Sequence, residues 1–199
     1  MRKRLRIFLI FLVVCALGIC WVCGYRNLNA FYSNLSNNTR NIYQLGETVP
    51  FGSDYMNKDI LVDGYSVRVD RFEIVNYQEY IRASNFSLPD GLIEPERIGL
   101  VYITLFNQDS NAPGVLLTEF KLHGIDNYLG MNWDVLLAAN SVLKEGFGVS
   151  LSPNTEYQII LPFDFEEEMF GADTWKNIND YELFLHITAF PTEKDIKIQ

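Results

Sequence analysis

Five carboxylates that lie close together in the sequence are the first residues that could do chemistry. The stretch FDFEEEMFGADTW carries them within ten residues: Asp164, Glu166, Glu167, Glu168 and Asp173. Carboxylate oxygens are ligands for Ca²⁺, so the cluster is a candidate for weak cation coordination or for charge-steered docking. The alternative, which we favour, is a solvated helix start whose acidic side chains interact well with the helix dipole.

The chain has two histidines, His123 and His186, which are far apart in sequence. A lone histidine on a strand is more typical of a packed or surface residue than of a ligand or a general base. A Ser–His–Asp arrangement can draw on distant positions and stays an alternative. The G-x-S-x-G elbow and the H-E-x-x-H zinc motif do not occur. We therefore predict no catalytic residue, no cofactor and no metal ligand beyond the carboxylate candidates.

Two tryptophans outside the clearest strands are candidates for recognition. Trp133 lies in YLGMNWDVLLAAN and Trp175 lies in DTWKNI. Exposed aromatic side chains in the loops of a sandwich are common anchors for protein or carbohydrate partners. The alternative for each, which we favour, is that its ring is buried between two sheets.

The N-terminal stretch RKRLRIFLIFLVVCALGICWVCGY predicts a membrane anchor. Four basic residues precede an uncharged apolar run, residues 7–24, which as a helix would span roughly 27 Å, close to the hydrocarbon thickness of a bilayer. We predict a cytoplasmic basic segment at 1–6 and a transmembrane signal anchor at 7–25, with the rest of the chain extracellular. The alternatives are cleavage, although no A-x-A pattern follows, and lipidation at Cys20, although isoleucine precedes it.

Composition limits the chemistry of the exported part. All three cysteines fall in the apolar segment, which excludes a disulfide framework, a zinc knuckle and a cysteine nucleophile after it. Removing the four N-terminal basic residues from the total of 16 leaves 12 Lys and Arg against 25 Asp and Glu, a net charge of −13. Phosphate backbones would repel such a surface, so we predict no nucleic-acid partner.

The rest of the chain divides into a linker and one domain. Residues 26–45 are rich in asparagine and predict a polar linker. From residue 46 onward, Asp63-Gly64 predicts a hairpin turn before an alternating strand, and RIGLVYITLFN, apolar on both faces, predicts a central strand. VLLTEFKLHGID alternates, and TEYQIILPF and YELFLHITAF predict further strands that end at Pro162 and Pro191.

Two short helices complete the prediction. NYQEYIRAS has Asn76 as a helix cap, and DFEEEMFG has Gly171 after its end. Seven or eight short strands with little helix and no βαβ period predict an all-β fold, a single antiparallel β-sandwich over residues 46–199.

Several stretches, taken in order, resemble a known family. They are LGETVPFGSDYMNKDILVDGYSVRVDRFEIVNYQEYI, VYITLFNQDS, LSPNTEYQIILPFDF and YELFLHITAFPTEKDIKI. Together they resemble small membrane-anchored or lipoprotein-like extracytoplasmic proteins of Gram-positive bacteria that carry one domain of unknown function. The resemblance implies an export anchor and an immunoglobulin-like β-sandwich, and it supplies no catalytic residues.

The function expected from these observations is that of a non-enzymatic interaction domain that engages an envelope or membrane protein. A permanent anchor confines the domain to the membrane plane and raises its effective concentration there. The alternative is a binding module for a small ligand, a glycan or Ca²⁺, suggested by the acidic cluster and the tryptophans. A hydrolase is a third class, which no motif supports.

Overall fold

The computed structural model describes residues 14–26, 39–60, 62–89, 91–92, 94–108, 114–143 and 146–199. The chain forms two compact units, Met1–Asn38 and Thr39–Gln199. In the first unit, helix α1 covers residues 14–26, and the rings of Trp21 and Tyr25 stack with centroids 5.6 Å apart. Among the residues described, no helix combines the length and the hydropathy that a membrane crossing requires. The predicted basic segment and residues 7–13 of the predicted anchor lie outside the described residues.

The described part of the second unit contains strands and four short helices. The strands are β1 (Thr39–Gln44), β2 (Thr48–Pro50), β3 (Tyr65–Asn76), β4 (Arg97–Asn107), β5 (Val115–Leu116), β6 (Lys121–His123), β7 (Tyr128–Leu129), β8 (Gly148–Val149), β9 (Thr155–Phe165), β10 (Phe184–Thr188) and β11 (Thr192–Lys197). The helices are α2 (Tyr77–Ser84), α3 (Trp133–Ala139), α4 (Glu167–Phe170) and α5 (Ala172–Lys176), with 3₁₀ turns at Leu117–Glu119 and Ile178–Asp180.

Two main sheets organise this unit. One has the strand order β1-β11-β10-β6-β7, the other has the order β2-β3-β4-β9, and β5 pairs with β8. Pairings among the described strands are antiparallel except for β1 with β11, which run parallel with Ile42 opposite Asp195. The predicted β-sandwich with a few short helices is confirmed, but the prediction that it is wholly antiparallel is wrong for this pair.

Each main sheet has an apolar face, and the two apolar faces share one hydrophobic core. Val67 and Ile103 contribute from the four-stranded sheet, and Leu122, Leu185 and Ile196 contribute from the five-stranded sheet. Alternate residues of a strand point to opposite faces of its sheet. The neighbours of these three core residues therefore lie on the outer face of the five-stranded sheet, which carries the candidate site.

The boundary between linker and domain differs from the prediction. Residues 39–44, expected as the end of the 26–45 linker, form β1, so the compact unit begins at Thr39 rather than at Gly46. The local sequence of β1 is mostly polar and exposed, and its pairing partner β11 lies at the other end of the chain. No short-range sequence pattern therefore predicts this strand. Residues 27–38 of the predicted linker lie outside the described residues.

Three strand predictions also need correction. Asp63-Gly64 forms a turn, but the partner of the first residues of β3 is β2, with Pro50 opposite Ser66, rather than the segment just before the turn. VLLTEFKLHGID is split into β5, a 3₁₀ turn and β6. Pro162 lies inside β9, where its carbonyl accepts a hydrogen bond from the Asn132 N–H at 2.9 Å on the side away from β4. Its missing N–H is therefore not needed in the ladder.

The predicted helix ends are confirmed. The Asn76 side chain accepts a hydrogen bond from the Glu79 N–H at 3.0 Å at the start of α2. Gly171 follows α4 and donates its N–H to the Glu167 carbonyl at 2.8 Å. These contacts satisfy backbone groups that a helix end would otherwise leave unpaired.

Candidate functional site

Strand register brings two histidines and one aspartate onto the outer face of the five-stranded sheet. His186 on β10 lies directly opposite Asp195 on β11. His123 on β6 lies opposite Phe184, two residues from His186 along β10. Because side chains alternate with a period of two, all four side chains share one face. We call His123, His186 and Asp195 the His–Asp–His cluster.

The Asp195 carboxylate is the centre of this cluster and is fully buried, with 0% of its side chain exposed. Its Oδ1 lies 2.5 Å from His186 Nδ1 and 3.6 Å from His123 Nε2. Its Oδ2 accepts a hydrogen bond from Arg40 Nε at 2.6 Å. One carboxylate on β11 thus joins side chains from β1, β6 and β10. The longer distance, to His123, is outside hydrogen-bond range.

The second ring nitrogen of His123 fixes the position of its proton. His123 Nδ1 lies 2.9 Å from the Gly124 carbonyl oxygen. Because a carbonyl only accepts, Nδ1 carries the hydrogen. Nε2, which faces Asp195, is buried and has no hydrogen-bond partner among the described residues. Gly124 is needed here, since a Cβ at this position would lie 2.3 Å from the Tyr181 ring.

The pKa values of Asp195 and His123 move in opposite directions. Burial alone would raise the pKa of Asp195, but His123, His186 and Arg40 together hold it well below its ordinary value. The Asp195 carboxylate raises the pKa of His123 above its ordinary value, against the lowering effect of burial. The carboxylate therefore stays ionised and favours a cation beside it.

Aromatic rings pack against His123, and an open pocket that these rings help to line adjoins the cluster. His123 stacks on Phe184 with centroids 5.5 Å apart, and Tyr128 lies 5.3 Å away. The Arg40 guanidinium lies 5.0 Å over the Phe184 ring. The pocket has a volume of about 570 Å³. Besides Arg40, His123, Tyr128 and Phe184, its lining includes Ile125, Asp126, Asn127, Glu182 and Glu193.

The opposite pKa shifts predict a stability maximum in metal-free protein. The contribution of Asp195, whose pKa is lowered, is present above about pH 4 and is lost as the pH falls below that value. The contribution of His123, whose pKa is raised, is present below about pH 6.5 and is lost as the pH rises through the folded-state pKa. We expect the thermal midpoint, measured with chelator present, to be highest between these limits.

The control for this pH dependence is Asp195→Asn, which removes the charge from the centre of the cluster. We expect the thermal midpoint of this variant to fall less steeply than that of the wild type, both below pH 4 and above pH 6.5. Equal slopes in the two proteins would show that other groups carry the pH dependence.

The structure does not gather the five carboxylates predicted from the sequence. Asp164 is half-buried on β9 and accepts a hydrogen bond from the Asn132 side chain at 2.8 Å. Asp173 is exposed on α5, 3.8 Å from Lys176. Glu166 precedes α4, and Glu167 and Glu168 lie on its first turn. In the part of the chain that the structure describes, the set of metal-ligating side chains that converges is the His–Asp–His cluster, with ligand atoms within 4.8 Å of one another.

The two tryptophans have different environments. Trp175 is 8% exposed, stacks on Phe170 at 6.1 Å and lies under the Arg97 guanidinium. It is part of the core, as in the buried alternative favoured for it from the sequence. Trp133 is 40% exposed at the start of α3 and packs on Phe147 at 4.9 Å. Its ring is available for contact.

The two histidines are isolated in the sequence. The strand pairings that bring them to Asp195 have little local signal. A hairpin around Phe190-Pro191 joins β10 to β11, but the register shifts between Thr188, opposite Lys194, and His186, and only this shift places His186 opposite Asp195. His123 joins through the pairing of β6 with β10, which crosses a long stretch of chain. No spacing motif encodes that contact.

Comparison with known proteins assigns the chain to a family. An uncharacterised β-sandwich protein from Clostridium difficile, known from a crystal structure, aligns over 82% of this chain and 98% of its own, with 9% identity and a TM-score of 0.43. No curated protein sequence gives a significant match. The model of a domain of unknown function, DUF5028, matches residues 40–194, which include every residue of the cluster except Asp195. The chain is therefore a member of the DUF5028 family.

Proposed function

We propose that this chain is a non-enzymatic binding domain, held at the outer face of a Gram-positive cell membrane, that engages an envelope or membrane protein. The observation that carries the proposal is the open pocket beside His123. Its lining includes two strongly exposed apolar side chains, Ile125 at 73% and Tyr128 at 65%. Exposed apolar and aromatic side chains around a concave surface are typical of protein-binding sites.

Charges of both signs surround this pocket. Arg40 lies on one side, and Asp126, Glu182 and Glu193 also contribute to the lining. Charged groups at the rim of an interface steer the encounter and fix its orientation more than they add affinity. The net charge of −13 after residue 25 favours a partner whose docking face is basic.

The anchor belongs to the same proposal and rests on the sequence. The apolar run at 7–24 supports a retained span, in preference to cleavage or to lipidation at Cys20, and the basic residues before it support an extracellular domain. The two facing sheets support the finer assignment of an immunoglobulin-like sandwich. An anchored domain meets other membrane proteins at a raised effective concentration.

The test is crosslinking of intact cells that carry the tagged full chain, followed by capture and mass spectrometry. We expect one reproducible membrane protein, which the double variant Ile125→Ser, Tyr128→Ser no longer captures. The control is Leu137→Ser, Val142→Ser, which alters exposed apolar side chains outside the lining of this pocket and should capture the partner as the wild type does. Capture that survives the pocket variant would contradict the proposal.

A glycan or another small polar ligand is the second candidate. The pocket volume of about 570 Å³ is in the range of small-molecule sites, and the Tyr128 and Phe184 rings lie beside the polar side chains of Asn127 and Glu182. Thermal-shift measurements with cell-wall fragments and with Ca²⁺ separate the two candidates. A concentration-dependent rise in the midpoint that the pocket variant abolishes would favour the small ligand.

A further inference from the structure

We propose that His123, His186 and Asp195 form a binding site for a divalent transition-metal ion of the Zn²⁺ class. Their ligand atoms lie within 4.8 Å of one another on β6, β10 and β11. Two imidazole nitrogens and one carboxylate are a donor set that suits Zn²⁺ and its neighbours in the transition series. Ca²⁺ requires six to eight oxygen ligands, which this cluster does not supply.

The unpaired nitrogen of His123 is the observation that points to a bound cation. The Gly124 carbonyl holds the proton on Nδ1, so Nε2 of the neutral ring presents a lone pair. That lone pair faces the ionised Oδ1 of Asp195 at 3.6 Å inside a buried cluster. Two electron-rich atoms in this position repel each other unless a cation lies between them. The cation is either a second proton on the ring or a metal ion.

The ligand atoms converge, with separations on either side of those in a zinc site. Tetrahedral zinc, with bonds of about 2.0–2.2 Å, sets its ligand atoms roughly 3.3 Å apart. The distance from His123 Nε2 to Asp195 Oδ1 is 3.6 Å, and that from His186 Nδ1 to the same oxygen is 2.5 Å. All three ligand atoms lie within 4.8 Å of one another, so zinc binding requires the two imidazoles to move until these separations approach the tetrahedral value.

The surroundings of the cluster have the outer contacts that metal ligands need. A ligating histidine usually donates its other N–H to a carbonyl, as His123 does to Gly124. Arg40 binds the Oδ2 of Asp195 and leaves Oδ1 to the two rings. Its positive charge is partly offset by Glu193, 3.3 Å away. The pocket reaches His123 and gives an ion a route of entry.

Metal binding must displace protons from the cluster. At 2.5 Å, a hydrogen lies between His186 Nδ1 and the ionised Oδ1 of Asp195. Coordination through Nδ1 requires this hydrogen to leave that nitrogen: in a neutral ring it moves to Nε2 of His186, and in an imidazolium it goes to solvent, together with any second proton on His123. Zinc affinity should therefore rise with pH across the range in which histidine titrates.

The test is a Zn²⁺ titration of the full chain in mild detergent against a chromophoric chelator. The cysteines Cys15, Cys20 and Cys23 are exposed and are alkylated first, because thiolates also bind zinc. The affinity tag contains no histidine, because His123 and His186 are the two histidines of the chain. We expect one Zn²⁺ per chain and no competition from Ca²⁺.

Variants then locate the ion. His186→Gln and Asp195→Asn should each weaken Zn²⁺ binding by about 100-fold or more, beyond the effect of losing an outer contact. The control is Glu167→Gln, Glu168→Gln in the acidic stretch, which should leave the affinity unchanged. Unchanged affinity in H186Q and D195N would overturn the proposal, even if zinc binds stoichiometrically.

A measurement on the unaltered chain makes the test independent of whether the variants fold. Zn²⁺ should shift the NMR signals of the ring nitrogens of both histidines. Absence of stoichiometric binding, or zinc that leaves either ring unshifted, would mean that the cluster holds protons alone. This inference stands apart from the docking proposal, because losing the protein partner leaves Zn²⁺ affinity unchanged.

Discussion

Replacement of Lys194 by alanine is expected to lower the free energy of unfolding by about 3–5 kcal/mol, the cost of breaking a buried ion pair. Lys194 Nζ lies 2.7 Å from Asp54 Oδ2 and donates to the carbonyls of Pro50 and Phe51 at 2.6 and 2.9 Å. These partners use all three hydrogens of the ammonium group. Truncation leaves the buried Asp54 carboxylate and the two carbonyls without the hydrogens that Lys194 donates. Urea unfolding measures the resulting loss of stability.

Lys197→Ala is the matched control, because Lys197 lies three residues further along the same strand. It pairs with Glu182 at 2.5 Å, but both side chains are about 40% exposed. Surface pairs of this kind contribute about 0–1 kcal/mol. If K194A costs no more than K197A, the Lys194–Asp54 pair does not hold β11 to the segment after β2. The double variant Lys194→Met, Asp54→Leu should recover part of the loss, since it leaves no unpaired charge.

Replacement of Asn140 by alanine is the second large effect, with an expected cost of about 3 kcal/mol from several unsatisfied buried groups. The Asn140 side chain accepts from the Ile160 N–H at 2.9 Å and donates to the Ile160 and Leu136 carbonyls at 2.8 and 2.7 Å. β9 is the edge strand of its sheet, so Ile160 has no strand on that side to pair with. The amide of Asn140 takes the place of a neighbouring strand.

Asn177→Ala is the control for this prediction. Its side chain makes one exposed hydrogen bond, to the Asp173 carbonyl at 3.2 Å. We expect N177A to change stability by less than about 1 kcal/mol in urea unfolding. Amide exchange gives a local readout, because the Ile160 N–H should lose protection in N140A and keep it in N177A. Equal stability of the two variants would contradict the role given to Asn140.

The strands with a strong local signal could be predicted from sequence. RIGLVYITLFN is apolar on both faces, and β4 lies between β3 and β9 with most of its side chains buried. The cap at Asn76 and the end of α4 before Gly171 depend on neighbouring residues and were also predictable. Periods of two and capping side chains act over a few residues, so sequence alone reveals them.

Features that depend on distant pairing could not be predicted in the same way. β1 is mostly polar and exposed, and it is a strand because β11 pairs with it. Pro162 lies within a strand because the edge of β9 does not need its N–H, a fact that appears only with the sheet order. His123 reaches Asp195 only when three strands align. The acidic stretch was conspicuous in sequence, but its carboxylates point into different environments.

Two adjacent residues of β11 have separate functions in this account. Lys194 and Asp195 are both buried, and alternation places them on opposite faces of the sheet. Lys194 stabilises the contact with the segment after β2, whereas Asp195 collects two histidines and an arginine beside an open pocket. K194A should therefore reduce stability while leaving Zn²⁺ affinity in the folded protein unchanged, whereas D195N should weaken Zn²⁺ binding as well.

In the zinc proposal, the outer face of the five-stranded sheet carries a functional centre of the chain. Anomalous diffraction at the zinc absorption edge, from crystals of the alkylated protein grown with one equivalent of Zn²⁺, tests it most directly. One peak is expected about 2.0–2.2 Å from His123 Nε2, His186 Nδ1 and Asp195 Oδ1. A peak at the carboxylates of the 164–173 stretch, or no peak within bonding distance of the two histidines, would contradict it.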